Sequence, residues 1–278
     1  MCQRFPLAAI AIALLWLLAD ARPLRAGTGE IAILVLKEHG VGSPTLAQPY
    51  VDRFTALAAQ QNGWAGARGQ YLSSRSAVAA FVEAQNPHYG IFSLAAFLAL
   101  RKEYRLEVIG RVASTLAGGE QYFMVSKAAR DLAGCKGKTL ASDHTDDARF
   151  VERVVARRQF RLAEFQLLHD LRPLQSIHQV LGGEADCALI DDAQLAELQH
   201  LEGAGDVRVV WKSEPLPPMA VGAFPSAPAA ERKAFQSNLP ALCREEPAQT
   251  TCQEVGIRSL DAAGPSDYAE VMSLYGDD

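Results

Sequence analysis

The chain has 278 residues, a formal net charge of −5 and a pI near 5.7, with 49% hydrophobic and 21% charged residues. That length fits one large domain or two of ordinary size, and the composition is globular rather than disordered. The slight acidity and the lack of any long basic run argue against nucleic acid as a partner, because phosphate binding needs clustered Lys and Arg.

The first 26 residues stand apart. Arg4 supplies a positive start, Leu7 to Leu18 (LAAIAIALLWLL) forms an apolar run, and small residues follow at Ala19-Asp20-Ala21 and Ala26-Gly27. This is the pattern of a cleaved secretory signal peptide, and the apolar run is too short to span a bilayer comfortably. A mature protein starting near Arg22 or Gly27, in the periplasm, is therefore expected. Cleavage removes Cys2 and leaves Cys135, Cys187, Cys243 and Cys252. Four cysteines allow three pairings. Cys243 and Cys252 flank the short polar loop REEPAQTT, which a disulfide can close in an oxidising compartment. Cys135 precedes one strand and Cys187 lies inside another, so their pairing stays open. No CxxC and no paired histidine spacing accompanies the cysteines, so neither a metal site nor a cofactor is expected.

From Glu30 onward, short apolar runs alternate with amphipathic helical stretches. Ile31 to Leu36 (IAILVL) reads as a buried strand, and Ser43-Pro44 opens a helix through Ala59. Gln70 to Leu72 is a short strand, and Ser74 caps a helix through about Ala84. His88 to Phe92 is a strand, Ser93 starts a helix, and Leu106 to Val112 is the next strand. Such a run predicts a parallel sheet with helices on both faces. The order then breaks: Gln121 to Val125 follows as a strand with only a short Gly-containing connection before it. A second series continues with a helix start at Lys127 to Leu132, a strand Lys138 to Ser142 and a helix Asp146 to Arg158. After an irregular stretch come a helix Leu174 to Leu181, a strand Ala185 to Ile190 and a helix Asp191 to Gln199. Val207 to Trp211 and Met219 to Phe224 are strands, and the tail from Pro228 to Tyr275 reads as helical with an interruption around Cys243 to Leu260. Two α/β lobes follow, residues 27–115 plus 220–278 and residues 116–219. They are joined near Ser114 to Phe123 and near Lys212 to Ala223, an arrangement that makes a cleft with a hinge.

This order of elements resembles the type II periplasmic solute-binding proteins, and within them the phosphate/phosphonate-type binding components of ABC importers. Three stretches carry the resemblance: Ser74 to Val112, opening SRSAVAAFVEAQNPHYGIFSLAAFLAL; Leu132 to Leu140, LAGCKGKTL; and Ile177 to Asp192, IHQVLGGEADCALIDD. It implies a two-lobed α/β fold of mostly parallel sheets with two crossover strands as hinge. It also implies a non-catalytic, monomeric carrier of a small polar ligand, partnered by an ABC permease. The rival reading is an orphan relative that works with a sensor kinase or another envelope protein. One departure matters. Relatives that hold an anion place a hydroxyl-rich turn at a helix N-terminus; here that turn reads Ser142-Asp143-His144-Thr145-Asp146-Asp147. Its carboxylates repel phosphate and occupy the same end of the helix dipole. A zwitterionic or cationic ligand, or no small ligand, is expected ahead of inorganic phosphate.

Ligands of doubly wound lobes sit at the carboxyl ends of strands. That rule selects Lys37, Ser74 and Ser93 in lobe one and Ser142, Thr145 and Asp191 in lobe two, with Glu38, Asp143 and His144 beside them. The same Ser, Thr and Asp positions are good helix caps without any ligand. His144 between carboxylates reads first as a solvated loop residue, and Arg149 as a local partner of Asp146. No GxSxG, HExxH or P-loop pattern occurs, and the adjacent pairs Asp146-Asp147 and Asp191-Asp192 point about 100° apart on a helix, so no catalytic residue is expected.

Overall fold

The computed structural model describes residues 30–39, 44–114, 118–168 and 172–276. The expected leader lies outside them. The first series is β1 (Ile31–Leu36), α1 (Pro44–Asn62), β2 (Ala67–Leu72), α2 (Val78–Gln85), β3 (Tyr89–Phe92), α3 (Leu94–Leu100) and β4 (Glu107–Ser114). The second is β5 (Tyr122–Ser126), α4 (Leu132–Cys135), β6 (Thr139–Ala141), β7 (Gln166–Leu168), α5 (Gln175–Gly182), β8 (Cys187–Asp191), α6 (Asp192–Leu198) and β9 (Arg208–Lys212). The chain ends with β10 (Met219–Ala223), α7 (Ala229–Asn238), α8 (Ala248–Glu254), β11 (Ile257–Ala262) and α9 (Ala269–Tyr275).

Two sheets result, ordered β11-β4-β10-β3-β1-β2 and β7-β6-β8-β5-β9. Strands β1, β2 and β3 pair in parallel, while β10 inserts antiparallel between β3 and β4. In the second sheet β6 pairs in parallel with β7 and β8, and β5 runs antiparallel to β8 and β9. The continuous apolar run of β1 suits a strand covered on both faces. Ile31, Ile33, Phe54 and Ala58 pack on one side of it, and Leu34, Leu36, Phe92 and Phe97 on the other.

Several elements differ from the sequence expectation. The helix expected to start at Lys127 begins only at Leu132, where the Asp131 carboxylate accepts the Gly134 N–H at 2.9 Å and acts as the cap. The helix expected over Asp146 to Arg158 is wound as a π-helix through Phe150–Val155. Strands β7 and β11 were not anticipated. The first is a three-residue edge strand, too short to show a period, and the second lies in a tail whose helical segments hid it.

The chain passes between the sheets twice, and the two connections hold each other. Ser213 N–H donates to the Tyr122 carbonyl at 2.8 Å, Leu216 N–H to the Glu120 carbonyl at 2.8 Å, and Tyr122 N–H to Ser213 Oγ at 3.0 Å. Helix α9 also reaches across: Val271 and Tyr275 share one buried cluster with Phe97 of the first lobe and Phe150 and Val154 of the second. Two disulfides brace the molecule. Cys243–Cys252 closes the short loop as expected, and Cys135–Cys187 ties α4 to β8 across a sequence separation of 52. Among the described residues no helix is long and apolar enough to cross a membrane.

Candidate functional site

The carboxyl end of β1 in the first sheet faces the carboxyl end of β6 in the second, and charged side chains meet between them. Arg75, in the turn before α2, lies with Nε 2.7 Å from Glu38 Oε1 and with Nη1 2.6 Å from Asp147 Oδ2. Asp147 belongs to the other lobe. Its Oδ1 caps the π-wound helix by accepting the Phe150 N–H at 2.9 Å, and its Oδ2 also accepts the Tyr275 hydroxyl proton at 3.2 Å. Arg75 therefore latches the lobes together through two carboxylates. Burial pushes the Glu38 carboxyl above its usual pKa, with Arg75 pulling the other way. For Arg75 burial opposes the charge, but Glu38 and Asp147 outweigh it and hold the guanidinium above its ordinary value.

A second group sits beside the latch. His39 and His144 come from opposite lobes, and their ring centroids are 4.7 Å apart. Asp143 lies between them, with Oδ2 3.7 Å from His39 Nδ1 and Oδ1 3.6 Å from His144 Nε2. Gln194, on α6, organises this side. Its Oε1 accepts the Asp191 N–H at 2.9 Å, its Nε2 donates to Asp143 Oδ1 at 2.9 Å, and its Oε1 lies 3.0 Å from His144 Nε2. Because Oε1 is fixed as an acceptor, His144 carries a proton on Nε2 and donates it there. Burial disfavours charge on both rings. At His39 burial, and then the neighbouring His144, lower the pKa. At His144 burial is outweighed by Asp143 and Asp191, which raise it.

The expected site residues divide. Ser142 and Asp191 lie at this gap but serve the local backbone: Ser142 Oγ accepts the His144 N–H at 3.1 Å, and Asp191 Oδ1 accepts the Gln194 N–H at 2.9 Å as the α6 cap. Thr145 is half-buried next to them. Ser74 caps the turn that carries Arg75, and Ser93 caps α3 by accepting the Ala96 N–H at 3.4 Å. Lys37 lines a different pocket of the first lobe, with Tyr50, Tyr71, Ser114 and Glu254. His144 is not a solvated loop residue: it is 4% exposed, with Tyr122 edge-on at 5.1 Å. Arg149 lays its guanidinium over the Tyr275 ring at 5.4 Å. His39, Arg75, Gln194 and Tyr275 were not singled out from the sequence. His39 was within reach, since it follows the same strand end that drew attention to Lys37 and Glu38.

Two polar atoms in the gap are buried without a hydrogen-bond partner, Arg75 Nη2 and Asp143 Oδ2. They have opposite sign, and each is a place where a ligand atom lowers the energy, because an unpaired buried polar group costs about 1–3 kcal/mol and a charged one more.

Residues 52–268 match the family model described as "ABC transporter, phosphonate, periplasmic substrate-binding protein". No match is found among curated proteins. Solved structures share the fold at low identity. XAC2383 from Xanthomonas citri, bound to chloride, is 11% identical with a TM-score of 0.68, over 88% of this chain and 96% of that one. A binding component of an ABC phosphonate transporter from Pseudomonas aeruginosa is 11% identical with a TM-score of 0.63, over 88% and 85%. PhnD1 from Prochlorococcus marinus, in complex with methylphosphonate, is 9% identical with a TM-score of 0.63, over 88% and 96%.

Proposed function

The chain belongs to the phosphonate-type family of periplasmic substrate-binding proteins of ABC transporters, and from that premise we propose that it captures a small zwitterionic or cation-bearing ligand between its lobes. The protein is a carrier, not an enzyme, and an ABC permease is the partner to which such a component delivers its ligand. Export through cleavage of the leader near Arg22 or Gly27 is part of the same proposal. The observation that carries the ligand class is the orphaned pair, Arg75 Nη2 and Asp143 Oδ2. An acid oxygen of the ligand satisfies the first and a positive group the second. Inorganic phosphate offers nothing to Asp143, and Glu38, Asp143 and Asp147 oppose its charge. Ser74, Ser93, Ser142, Thr145 and Asp191 then act chiefly by fixing the turns that carry Arg75, Asp143 and His144, and Lys37 lies outside the capture site.

A thermal-shift screen tests this reading. We expect 2-aminoethylphosphonate and comparable amino acids to raise the melting temperature. At about 100 times Kd, binding adds about 2.7 kcal/mol, or roughly 5–10 °C for a chain of this size. A screen in which phosphate and simple alkylphosphonates shift melting while every amine-bearing compound is silent contradicts the proposed class.

A further inference from the structure

We propose that the positive group taken by this cleft is a divalent transition-metal ion, held by His39 of one lobe and by Asp143 and His144 of the other. The inference rests on the capture site proposed above and names its ligand chemistry. One ligand atom from each of these three residues lies within 4.8 Å of the other two. In a tetrahedral zinc site with bonds near 2.0–2.1 Å, neighbouring donors stand about 3.3 Å apart, so a small inward movement completes the geometry. Two imidazoles and one carboxylate form a donor set suited to zinc and its neighbours rather than to calcium or magnesium, which take oxygen.

The three groups converge without bonding one another. His39 Nδ1 and Asp143 Oδ2 stand 3.7 Å apart, longer than a hydrogen bond, while the 3.6 Å from His144 Nε2 to Asp143 Oδ1 joins the two atoms that Gln194 already engages. Asp143 is the second, independent sign of a missing ligand. Its side chain is 2% exposed, and its Oδ2 has no hydrogen-bond partner. The supporting shell is in place as well. Gln194 accepts the His144 Nε2 proton and leaves Nδ1 with its lone pair, and it also donates to Asp143 Oδ1, leaving Oδ2 free. This is how an outer shell fixes tautomer and orientation at a metal-binding histidine. His39 is held at φ 58°, a left-handed conformation uncommon outside glycine, at the end of β1. Local strain of that kind persists where the surroundings impose a particular side-chain direction. Three protein donors leave a coordination position open, and Arg75 Nη2, buried and unpartnered, suits an anionic group bound there. The predicted cargo is thus a divalent cation together with a small acid that chelates it. Because the donors come from both lobes, the ion also draws the cleft shut.

The untagged mature protein, stripped with chelator and titrated with zinc and with cobalt, tests the inference. We expect one ion per chain, and visible d–d bands from the cobalt complex that report nitrogen-containing coordination in the wild-type protein itself. His39→Asn keeps a residue that tolerates the left-handed backbone and should weaken binding by more than about 100-fold, whereas His200→Ala, at an exposed position, should change nothing. Zinc binding that His39→Asn leaves intact overturns the site. If neither metal binds while 2-aminoethylphosphonate binds without any metal, the metal inference falls and the zwitterion reading stands. If none of these binds, both fall.

Discussion

Arg75→Ala is expected to open the cleft rather than unfold the protein. Arg75 is the positive partner of two carboxylates that are almost fully buried, with the Glu38 and Asp147 side chains 6% and 9% exposed. Removing one partner of a buried ion pair costs about 3–5 kcal/mol, because the remaining charge stays desolvated. Here two charges are left, but they belong to different lobes, and separating the lobes returns both to water. Arg75 is itself 23% exposed, which favours the lower end of that range. A shift of about 3 kcal/mol moves the balance between closed and open forms by about 100-fold. Small-angle scattering should then show a larger radius of gyration for the variant, with cooperative unfolding retained. Arg68→Ala is the matched control. Arg68 pairs with Glu30 at side-chain exposures of 45% and 52%, and such surface pairs contribute about 0–1 kcal/mol. An Arg75→Ala protein as compact as the wild type would show that the latch does not set lobe closure.

The double change Cys135→Ala/Cys187→Ala should lower stability by about 4 kcal/mol, against about 3 kcal/mol for Cys243→Ala/Cys252→Ala. The difference follows from the chain length each bridge spans, since a longer loop withholds more entropy from the unfolded chain. The sequence separations are 52 and 9. The first bridge also joins α4 to β8, which lies inside the second sheet between β6 and β5, and both its cysteines are fully buried. For a protein of this size, 4 kcal/mol corresponds to a fall of roughly 8–16 °C in melting temperature. Calorimetry under non-reducing conditions measures both variants. Equal losses, or a larger loss for Cys243–Cys252, would show that loop entropy does not govern these bridges.

Much of the fold was legible because its strands are short, apolar and bounded by turn residues. The runs IAILVL and ALID and the Ser93 cap announced β1, β8 and α3 directly. What escaped depended on partners distant in sequence. Strand β11 buries Ile257 and Leu260, three positions apart, because its register against β4 shifts between Ile257 and Ser259, and nothing inside IRSLDA distinguishes it from the adjoining helices. The placement of β10 between β3 and β4 is likewise set by a return crossing that periodicity does not encode.

The candidate site followed the same rule. Strand ends lead to the turns whose side chains meet in this gap, and the carboxylates of Asp143 and Asp147 lie there. Which side chain of each turn enters the gap was not readable, because successive residues of an extended chain face opposite ways. At the end of β1, Glu38 meets Arg75 while Lys37 lines the other pocket. Arg75, Gln194 and Tyr275 join the site from three separate helical segments, and only the folded topology brings them to Asp147 and Asp143.

The proposed capture of a ligand carrying positive charge by this carboxylate-lined cleft has a direct test. It is isothermal titration of the mature protein with inorganic phosphate and methylphosphonate, repeated on Asp143→Ala and Ser93→Ala. Neither anion should bind the wild type measurably, and Asp143→Ala should gain binding as repulsion is relieved. Tight binding of phosphate or methylphosphonate to the wild type that survives Asp143→Ala and weakens in Ser93→Ala would contradict it.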